Sequence, residues 1–593
     1  MLEIVNGLLN TTALVVPGVY VEIISPTITQ LNGVPTNIVG MVGTASYGPT
    51  NTPVAFGNYA EFVANFGSLN ARTYDLGTHG AIAIQQGANA MYGVRVTDGT
   101  DTAASGYFGF STPNFAVLLT AKNTGSAGNS FTATFTTSAV ASSLKMTLVS
   151  GLNTPEVYDG ITTASAAAFW AAVVAAINTG NQRNPSPSNY FVATLGSLTS
   201  TTIPTPGTGG ATVTLSGGTD GTTFATSVST TCSMTQGSPG AVVQVTSVAG
   251  IAIGDAISGT NVPAGAKVIA ITPATPSITM SVASVTPITN TTAITFTGPT
   301  PTNAILGVDG GIGARTGMYA LRGTGCSMVD LCDVTSSSVW PTMITYGLSE
   351  QSYMITSGPA GDNIANAVTT KLGAGVDSYA LKVMFGDWVI WLDTVNNVQR
   401  LVSPAPFVCG RLANLPPQNS ALNQEIYAII ATQATAANQI YSYLDLMNLI
   451  NAGIDVITNP SAGGQPFYAC ASGHNAASSD AIWGDNYTRM TNFLAVTIVA
   501  GGTGQFVGKP ITPTLLRQEK AVIDNSLRNM KDAVPPMIAN YETTFVQTQS
   551  QQDNGIVIIQ ALVKYLAIEE KLVVALQGGQ TVNIQRQGTG AGA

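Results

Sequence analysis

The middle of the sequence contains a long stretch that is almost free of charge. Between Asp220 and Asp309 only Asp255 and Lys267 are charged, and Thr, Val and Ile alternate in short runs such as Ala293–Phe296. Alternation over short runs, separated by turns that contain proline and glycine, is typical of half-buried β-strands. We therefore predict an inserted β-sandwich of about 75 residues, Ig-like in general character.

Two related turns flank this stretch, Gly-Thr-Asp-Gly at 218–221 and Gly-Val-Asp-Gly at 307–310. Such a pair is expected if a loop of the host protein was duplicated around an insertion. The alternative is coincidence, because glycine and aspartate are common in turns of all kinds.

Apolar runs alternate with helical patterns on both sides of the insert. Residues 37–96 read as a strand, a turn, a helix over NYAEFVANFG, a helix over THGAIAIQQGA and a strand. Residues 328–457 contain further strand-like runs, a helix from about Asp362 and a long helix over roughly Gln424–Asn451. This order predicts a parallel or mixed sheet covered by helices. Residues 110–220 read instead as short strands with glycine-rich turns and one helix, which predicts a β-rich domain.

Composition excludes several classes of protein. The chain has 593 residues, 9% of them charged, with a net charge of −9, and this acidic balance argues against nucleic-acid binding. Its most apolar stretch, Ala164–Ile177, is shorter than the ~20 residues of a membrane-spanning helix. The N-terminus lacks the basic region of a secretory signal. Five cysteines without a CxxC pair predict reduced thiols in a protein made in a cytoplasm.

No motif supports catalysis, a metal site or a cofactor. The two histidines, His79 and His474, lie outside any HExxH pattern, and no GxSxG motif is present. The segment GGTGQFVGKP departs from a phosphate-binding loop at Thr503 and Pro510. The segment GGIGARTG has Thr316 where a dinucleotide-binding loop needs its third glycine. We therefore expect no enzymatic activity.

Each end of the chain carries a short strand-like run without an obvious sheet of its own. The first thirty residues hold one such run, bounded by Pro17 and Pro26, and the second run precedes a Gly- and Gln-rich tail. Exposed strand edges are normally avoided, so we expect each run to add to the sheet of a neighbouring subunit. The predicted inter-subunit strands consist of Val19, Tyr20, Val21, Glu22, Ile23, Leu572, Val573, Val574, Ala575 and Leu576.

One segment near the C-terminus is unusually rich in charge. Apolar side chains at Leu516, Ile523, Leu527, Met530 and Val534 follow helical spacing, so an amphipathic helix is predicted. Its other face is either solvated or directed at a partner. The charged residues are Arg517, Glu519, Lys520, Asp524, Arg528, Lys531 and Asp532.

Several motifs, in this order, resemble the contractile-tail sheath proteins of bacteriophages. They are PGVYVE at 17–22, GVPT at 33–36, VGTASYGPTNTPVAFGNYAEFVANFG at 42–67, AKNTGSAGN at 121–129, GGTDG at 217–221, ARTGMYAL at 314–321 and LMNLINAGIDVI at 446–457. The family's V-W-G-A-R-T segment is not clear, and only Ser478-Ser479-Asp480 resembles its continuation, so the terminal domain is matched by layout more than by motif.

The resemblance implies a multidomain α/β fold, in the α+β sense, with a mixed sheet. Its parts are an N-terminal arm at 1–30, a core domain beginning at 31–105, a β-rich domain at 106–221, an outward-facing Ig-like insert at 222–300, a non-catalytic α/β domain of subtilisin-like shape at 301–465, the rest of the core domain at 466–568 and a C-terminal arm at 569–593.

The resemblance also implies a structural role in the phage virion. Subunits assemble in the host cytoplasm as helically stacked hexameric rings around a tail tube, with baseplate and tail terminator proteins as further partners. The metastable sheath then contracts and drives the tube through the host envelope for genome delivery. We expect the terminal arms to link the subunits and the charged helix to face the tube, without nucleic-acid binding or membrane insertion. The alternatives are the sheath of a tailocin or other contractile injection system and, more distantly, a β-rich surface adhesin.

Overall fold

The computed structural model describes most of the chain. The described residues are 2–6 and 19–23, for the backbone only, and 33–110, 114–198, 202–222, 228–248, 251, 255–272, 275–297, 301–500, 503–574 and 576.

The strands follow one another along the chain as given below. They are β1 (Leu2–Asn6), β2 (Val19–Ile23), β3 (Ile38–Gly43), β4 (Pro53–Phe56), β5 (Ala90–Arg95), β6 (Ser105–Phe108), β7 (Val117–Ala121), β8 (Thr132–Thr137), β9 (Ser143–Val149), β10 (Glu156–Thr162), β11 (Phe191–Leu195), β12 (Thr212–Thr214), β13 (Val228–Thr231), β14 (Val242–Gln244), β15 (Ala256–Gly259), β16 (Val268–Thr272), β17 (Ser277–Met280), β18 (Ala293–Thr297), β19 (Met328–Leu331), β20 (Tyr353–Ser357), β21 (Leu381–Met384), β22 (Val389–Asp393), β23 (Val398–Val402), β24 (Ala431–Thr432), β25 (Ile454–Asp455), β26 (Ile457–Thr458), β27 (Ala469–Cys470), β28 (Ile538–Phe545) and β29 (Ile559–Tyr565).

The α-helices follow the same order. They are α1 (Tyr59–Phe66), α2 (Leu76–Gln85), α3 (Ala166–Thr179), α4 (Pro301–Leu306), α5 (Trp340–Glu350), α6 (Ile364–Ala374), α7 (Ala405–Ala413), α8 (Gln433–Ala436), α9 (Tyr443–Asn451), α10 (Asp485–Ala500), α11 (Pro513–Asp532) and α12 (Gln549–Asp553).

A seven-stranded sheet forms the centre of the protein, in the order β25-β21-β20-β19-β3-β5-β4. All neighbouring strands are parallel except β4, which runs antiparallel to β5 at one edge. Strands β20 and β21 are buried at every position, as expected for a parallel sheet with helices on both faces. The predicted α/β class with a mixed sheet is confirmed. The ranges 31–105 and 301–465, predicted as separate units, contribute strands to this one sheet.

A buried ion cluster lies against the sheet. His79 of α2 has both ring nitrogens bound, Nδ1 to Asp330 at 2.6 Å and Nε2 to Asp333 at 3.1 Å, and the ring is 0% exposed. Burial alone would lower the pKa of His79, but the neighbouring Cys332, Asp330 and Asp333 together raise it well above its ordinary value. The histidine therefore stabilises the fold as a cation.

This cluster predicts a loss of stability at alkaline pH. The contribution of His79 is full below its unfolded pKa of about 6.5 and disappears as the pH rises through the raised folded pKa. We expect the free energy of unfolding to decline across that interval in the native chain. A His79→Gln variant should be less stable at neutral pH. Its free energy of unfolding should also show a smaller decrease with rising pH over the same interval. Urea unfolding at a series of pH values measures both, and identical pH profiles for the two proteins would contradict the assignment.

The β-rich region folds around its own core. It contains a four-stranded sheet, β10-β9-β8-β12, and a three-stranded sheet, β11-β7-β6. Helix α3 packs on this region and buries Phe169, Trp170, Val173 and Ile177. The apolar run Ala164–Ile177 is thus mostly a core helix, as the sequence predicts. Among the described residues no helix is both long and apolar enough to cross a membrane.

The charge-poor stretch forms two three-stranded antiparallel sheets, β13-β18-β15 and β14-β17-β16. They enclose a hydrophobic cluster that includes Val243, Ile278, Ile294 and Phe296. The alternation read from the sequence corresponds to β18, in which Ile294 and Phe296 point inward. The Ig-like topology and the boundaries of the insert stay predictions.

The prediction of one long helix over about Gln424–Asn451 is wrong. This segment contains β24, the short helix α8 and the separate helix α9. Thr432 and Ser442 each start a helix with a capping box, and Asn438 between them has a φ of 56°. Side-chain caps and a left-handed residue interrupt a helix that hydrophobic periodicity alone would continue.

Candidate assembly surfaces

The N-terminal segment contains two strands, where the sequence predicts only one. Strand β2 matches the predicted run Val19–Ile23, and it pairs in parallel with β1, from Leu2↔Val19 to Asn6↔Ile23. The prediction missed Leu2–Asn6 because that run has no proline boundaries. The two strands form a sheet of their own, so each has one edge without a strand partner among the described residues.

The C-terminal region ends in a two-stranded hairpin. Strands β28 and β29 pair from Ile538↔Tyr565 to Phe545↔Ile559. Helix α11 and the hairpin share a hydrophobic cluster that includes Ile523, Leu527, Met530 and Ile538. Both outer edges of the hairpin lack a strand partner in the described part of the chain. The hairpin can therefore accept a further strand on either side.

The segment that follows the hairpin is held at two points. Asn486 Nδ2 donates to the Leu566 carbonyl oxygen at 3.0 Å. Glu570 Oε1 lies 3.1 Å from His474 Nε2, and the His474 ring stacks on Trp483 with 4.3 Å between ring centroids. His474 therefore helps to fix the position of the segment that follows the hairpin.

Beyond Glu570 the chain exposes a run of large apolar side chains. Leu572, Val573, Val574 and Leu576 are between 74% and 92% exposed, and Leu572–Val574 form no strand. The described residues of the predicted strand thus pair with no other described strand, and Ala575 lies outside the described residues. Exposed aliphatic side chains at four of five positions are typical of an interaction surface.

Helix α11 is amphipathic, as predicted, with two differences. Leu515 is buried while Leu516 is only partly covered, and Val534 lies beyond the end of the helix at 98% exposure. On the charged face, Lys520 pairs with Asp524 at 2.7 Å, and Lys531 Nζ donates to Asn540 Oδ1 at 3.1 Å. Arg517, Arg528 and Asp532 are exposed. By helical spacing, Arg517, Lys520, Asp524, Arg528, Lys531 and Asp532 follow one face of α11. Glu519 points in another direction and lines a cavity with Leu515 and Ile523.

The glycine-rich signature motifs lie at a junction between the sheet and the β-rich region. Asp220 accepts hydrogen bonds from Arg72 Nη1 at 2.6 Å and from the Ser126 amide at 2.7 Å. Arg95 of β5, fully buried, donates to the Asp220 carbonyl oxygen at 3.2 Å. Burial would raise the pKa of Asp220, yet the bonds from Ser126 and Arg72 hold it below its usual value. The GGTDG motif thus connects the central sheet to the β-rich region through the hydrogen bonds of Asp220.

The second flanking turn is also held by arginine side chains. Asp309 accepts from Arg315 Nε at 3.2 Å and also contacts Arg322 Nη1. Arg322 Nε in turn donates to Glu350 Oε1 of α5 at 2.6 Å. Each of the two related aspartates therefore binds arginine beside the insert.

Sequence reasoning missed a cluster of buried charges that connects the central sheet to helix α10. Lys382 of β21 contacts Asp455 at 2.7 Å and Asp485 at 3.1 Å, and all three side chains are 0% exposed. Nothing in their local sequence marks them, apart from charge in an otherwise apolar strand. In the described part of the chain, no group of His, Cys, Asp and Glu side chains is arranged to hold a metal ion.

Comparison with known proteins finds relatives by structure. No family model and no curated protein matches the amino-acid sequence. A sheath tail protein from Listeria innocua is 11% identical with a TM-score of 0.52, and the alignment covers 90% of this chain and 96% of that one. A sheath tail protein from Desulfitobacterium hafniense is 12% identical with a TM-score of 0.49, and 93% and 100% of the two chains are covered. The chain thus has the fold of the Listeria sheath tail protein.

Proposed function

We propose that this chain is the structural subunit of a contractile tail sheath of a bacteriophage. The supporting observation is that 90% of the chain aligns with a sheath tail protein of the same fold. In this proposal the subunits stack as helical, hexameric rings around a tail tube, contact baseplate and terminator proteins at the ends, and contract to drive the tube through the host envelope. The protein is then part of the virion and is assembled in the host cytoplasm.

The terminal arms are proposed to link the subunits. Leu572, Val573, Val574 and Leu576 are apolar and exposed and pair with no strand among the described residues. Neither outer edge of the β28–β29 hairpin has a strand partner there either. An extended segment that adds to an open edge gains main-chain hydrogen bonds and covers its side chains. The arm of one subunit can therefore extend the hairpin of another, while Val19–Ile23 supplies a second connection.

Linked arms also account for contraction as a cooperative event. An interface between different surfaces of two copies generates an open helix when its rotation does not close. A polymer built in an extended state can be held there by a kinetic barrier and release free energy when the barrier is crossed. Because each arm connects two subunits, a change in one subunit then spreads to the next.

The charged face of α11 is proposed to face the tube. We expect the double variant Arg528→Glu, Lys531→Glu to reduce assembly on a tube template while self-polymerisation is spared, since charge reversal acts mainly on electrostatic complementarity. Pelleting of the sheath with purified tubes measures the effect. Lys267→Glu, an exposed position in the insert, is the matched control. Equal pelleting of both variants would contradict this placement.

The related alternative is the sheath of a tailocin or other contractile injection system. That polymer has the same subunit architecture, and co-purification of the chain with or without DNA-filled capsids separates the two. A β-rich surface adhesin is the third possibility.

Negative-stain electron microscopy of the purified chain tests the proposal. We expect hollow tubes with a helical repeat. Persistent monomers, even after tube protein is added, would overturn the sheath function and favour the adhesin.

A further inference from the structure

Helix α9 presents apolar side chains to solvent at helical spacing. On its inner side Leu449 is fully buried in the core beneath the sheet. On its outer side, three residues of the helix, together with Ile440 in the segment that precedes the helix, form what we call the α9 apolar face. They are Ile440, Tyr443, Leu444 and Met447, with exposed fractions of 78%, 84%, 58% and 38%. Both sides of this helix are thus apolar, which is typical of a helix that lies between two partners.

Two cavities flank the α9 apolar face. The larger, about 530 Å³, is lined by Asp362, Asp387 and Asp445 and by no Lys, Arg or His side chain among the described residues. The smaller, about 180 Å³, is lined by Thr458. The Thr458 hydroxyl is buried and has no hydrogen-bond partner among the described residues, so it is free to bond a polar group that enters this cavity. Ile440 lines both cavities.

The carboxylates of the larger cavity are fixed in place. Asp387 accepts from the Ala434 amide and from the Tyr441 hydroxyl, each at 2.8 Å. Asp445 caps the start of α9 through the Ser442 amide at 2.9 Å. These bonds hold negative charge at the rim of the apolar face without neutralising it. A partner that fits must therefore offer apolar side chains together with a basic one.

We propose that the α9 apolar face is a docking surface for a second copy of this chain, which covers the face and places a Lys or Arg side chain in the acidic cavity. This inference rests on the proposed sheath function. A chain with 9% charged residues can form few ion pairs with its copies, so its contacts must be largely apolar with single charged anchors. Exposed cations such as Lys122 and Lys564 show that the chain carries the complementary groups on other surfaces.

The first test removes the apolar contact. In the full chain, Tyr443→Glu with Leu444→Glu should raise the critical concentration for polymerisation by roughly tenfold or more and leave the thermal midpoint of the subunit unchanged. The control is Val285→Glu in the insert, where the side chain is 90% exposed and no effect is expected. Sedimentation velocity measures the critical concentration.

The outcomes separate the two proposals. If the native chain stays monomeric, the sheath function fails and this contact with it. If the native chain polymerises and the double variant does so at the same concentration, only the docking surface is overturned.

The second test identifies the occupant. All five native cysteines are buried, so Leu444→Cys offers an exposed thiol for a photoreactive maleimide label. In polymers mixed from ¹⁴N- and ¹⁵N-labelled chains, we expect cross-linked peptides that combine both isotopes and contain a basic residue of the second copy. Cross-links confined to one isotope would show that the face is covered by its own chain, and the proposal would fall.

Discussion

Truncation after Glu570 is expected to abolish polymerisation and to leave a folded monomer. Residues Leu572–Val574 and Leu576 are exposed and contribute no strand, so their removal costs the subunit little stability. The Glu570–His474 contact at 3.1 Å is retained. In the polymer, the same residues provide main-chain hydrogen bonds and apolar contacts to a neighbour.

We expect the polymer fraction to fall by at least about tenfold, because arms that link subunits add avidity as well as affinity. A Val21→Pro variant tests the other arm, since proline removes one ladder hydrogen bond from β2. Electron microscopy and sedimentation velocity measure polymer, and the thermal midpoint measures folding. A matched control truncates after Leu576, which keeps the apolar run. Normal tubes from the Glu570 truncation would refute the arm mechanism.

Replacement of Lys382 by methionine should destabilise the subunit more than any surface substitution. Lys382 Nζ contacts Asp455 and Asp485 and also donates to the His474 carbonyl oxygen at 2.9 Å. Burial by itself would lower the pKa of Lys382, but the two carboxylates raise it. The variant leaves two carboxylates buried without a counter-charge, which costs about 3–5 kcal/mol.

The cluster around Lys382 lies between two parts of the subunit. Lys382 belongs to the central sheet, while Asp485 begins α10 and accepts a hydrogen bond from Tyr353 of β20 at 2.6 Å. The cluster therefore ties the sheet to the C-terminal part that carries the hairpin and the arm. We expect the variant to lose stability in both parts at once.

Urea unfolding measures this effect, and Lys520→Met is the matched control. Lys520 pairs with Asp524 at 2.7 Å on a helix surface, with side chains 34% and 21% exposed, so its loss should cost at most about 1 kcal/mol. The deficit of Lys382→Met should shrink as the pH falls, because protonation of the unpaired carboxyls relieves the buried charge. A deficit that matches the control would contradict the role of the cluster.

The sequence by itself determined the local elements and the class of the fold. Helices α1 and α2 and the strands around them follow from hydrophobic periodicity and from side-chain caps such as Asn58 and Asp75, which are local interactions. The same local periodicity predicts the apolar helix α3, the alternating strand β18 and the amphipathic helix α11. The motifs GGTDG and ARTGMYAL marked the junctions without indicating what they join.

The tertiary structure alone decided which distant segments share a site. The single sheet that unites 31–105 with 301–465, the pairing of His79 with Asp330, and the cluster around Lys382 depend on contacts between residues far apart in the chain. Periodicity carries no information on such partners. The break between α8 and α9 and the exposure of the α9 apolar face were likewise invisible, because an apolar stripe looks the same in sequence whether a core or a partner covers it.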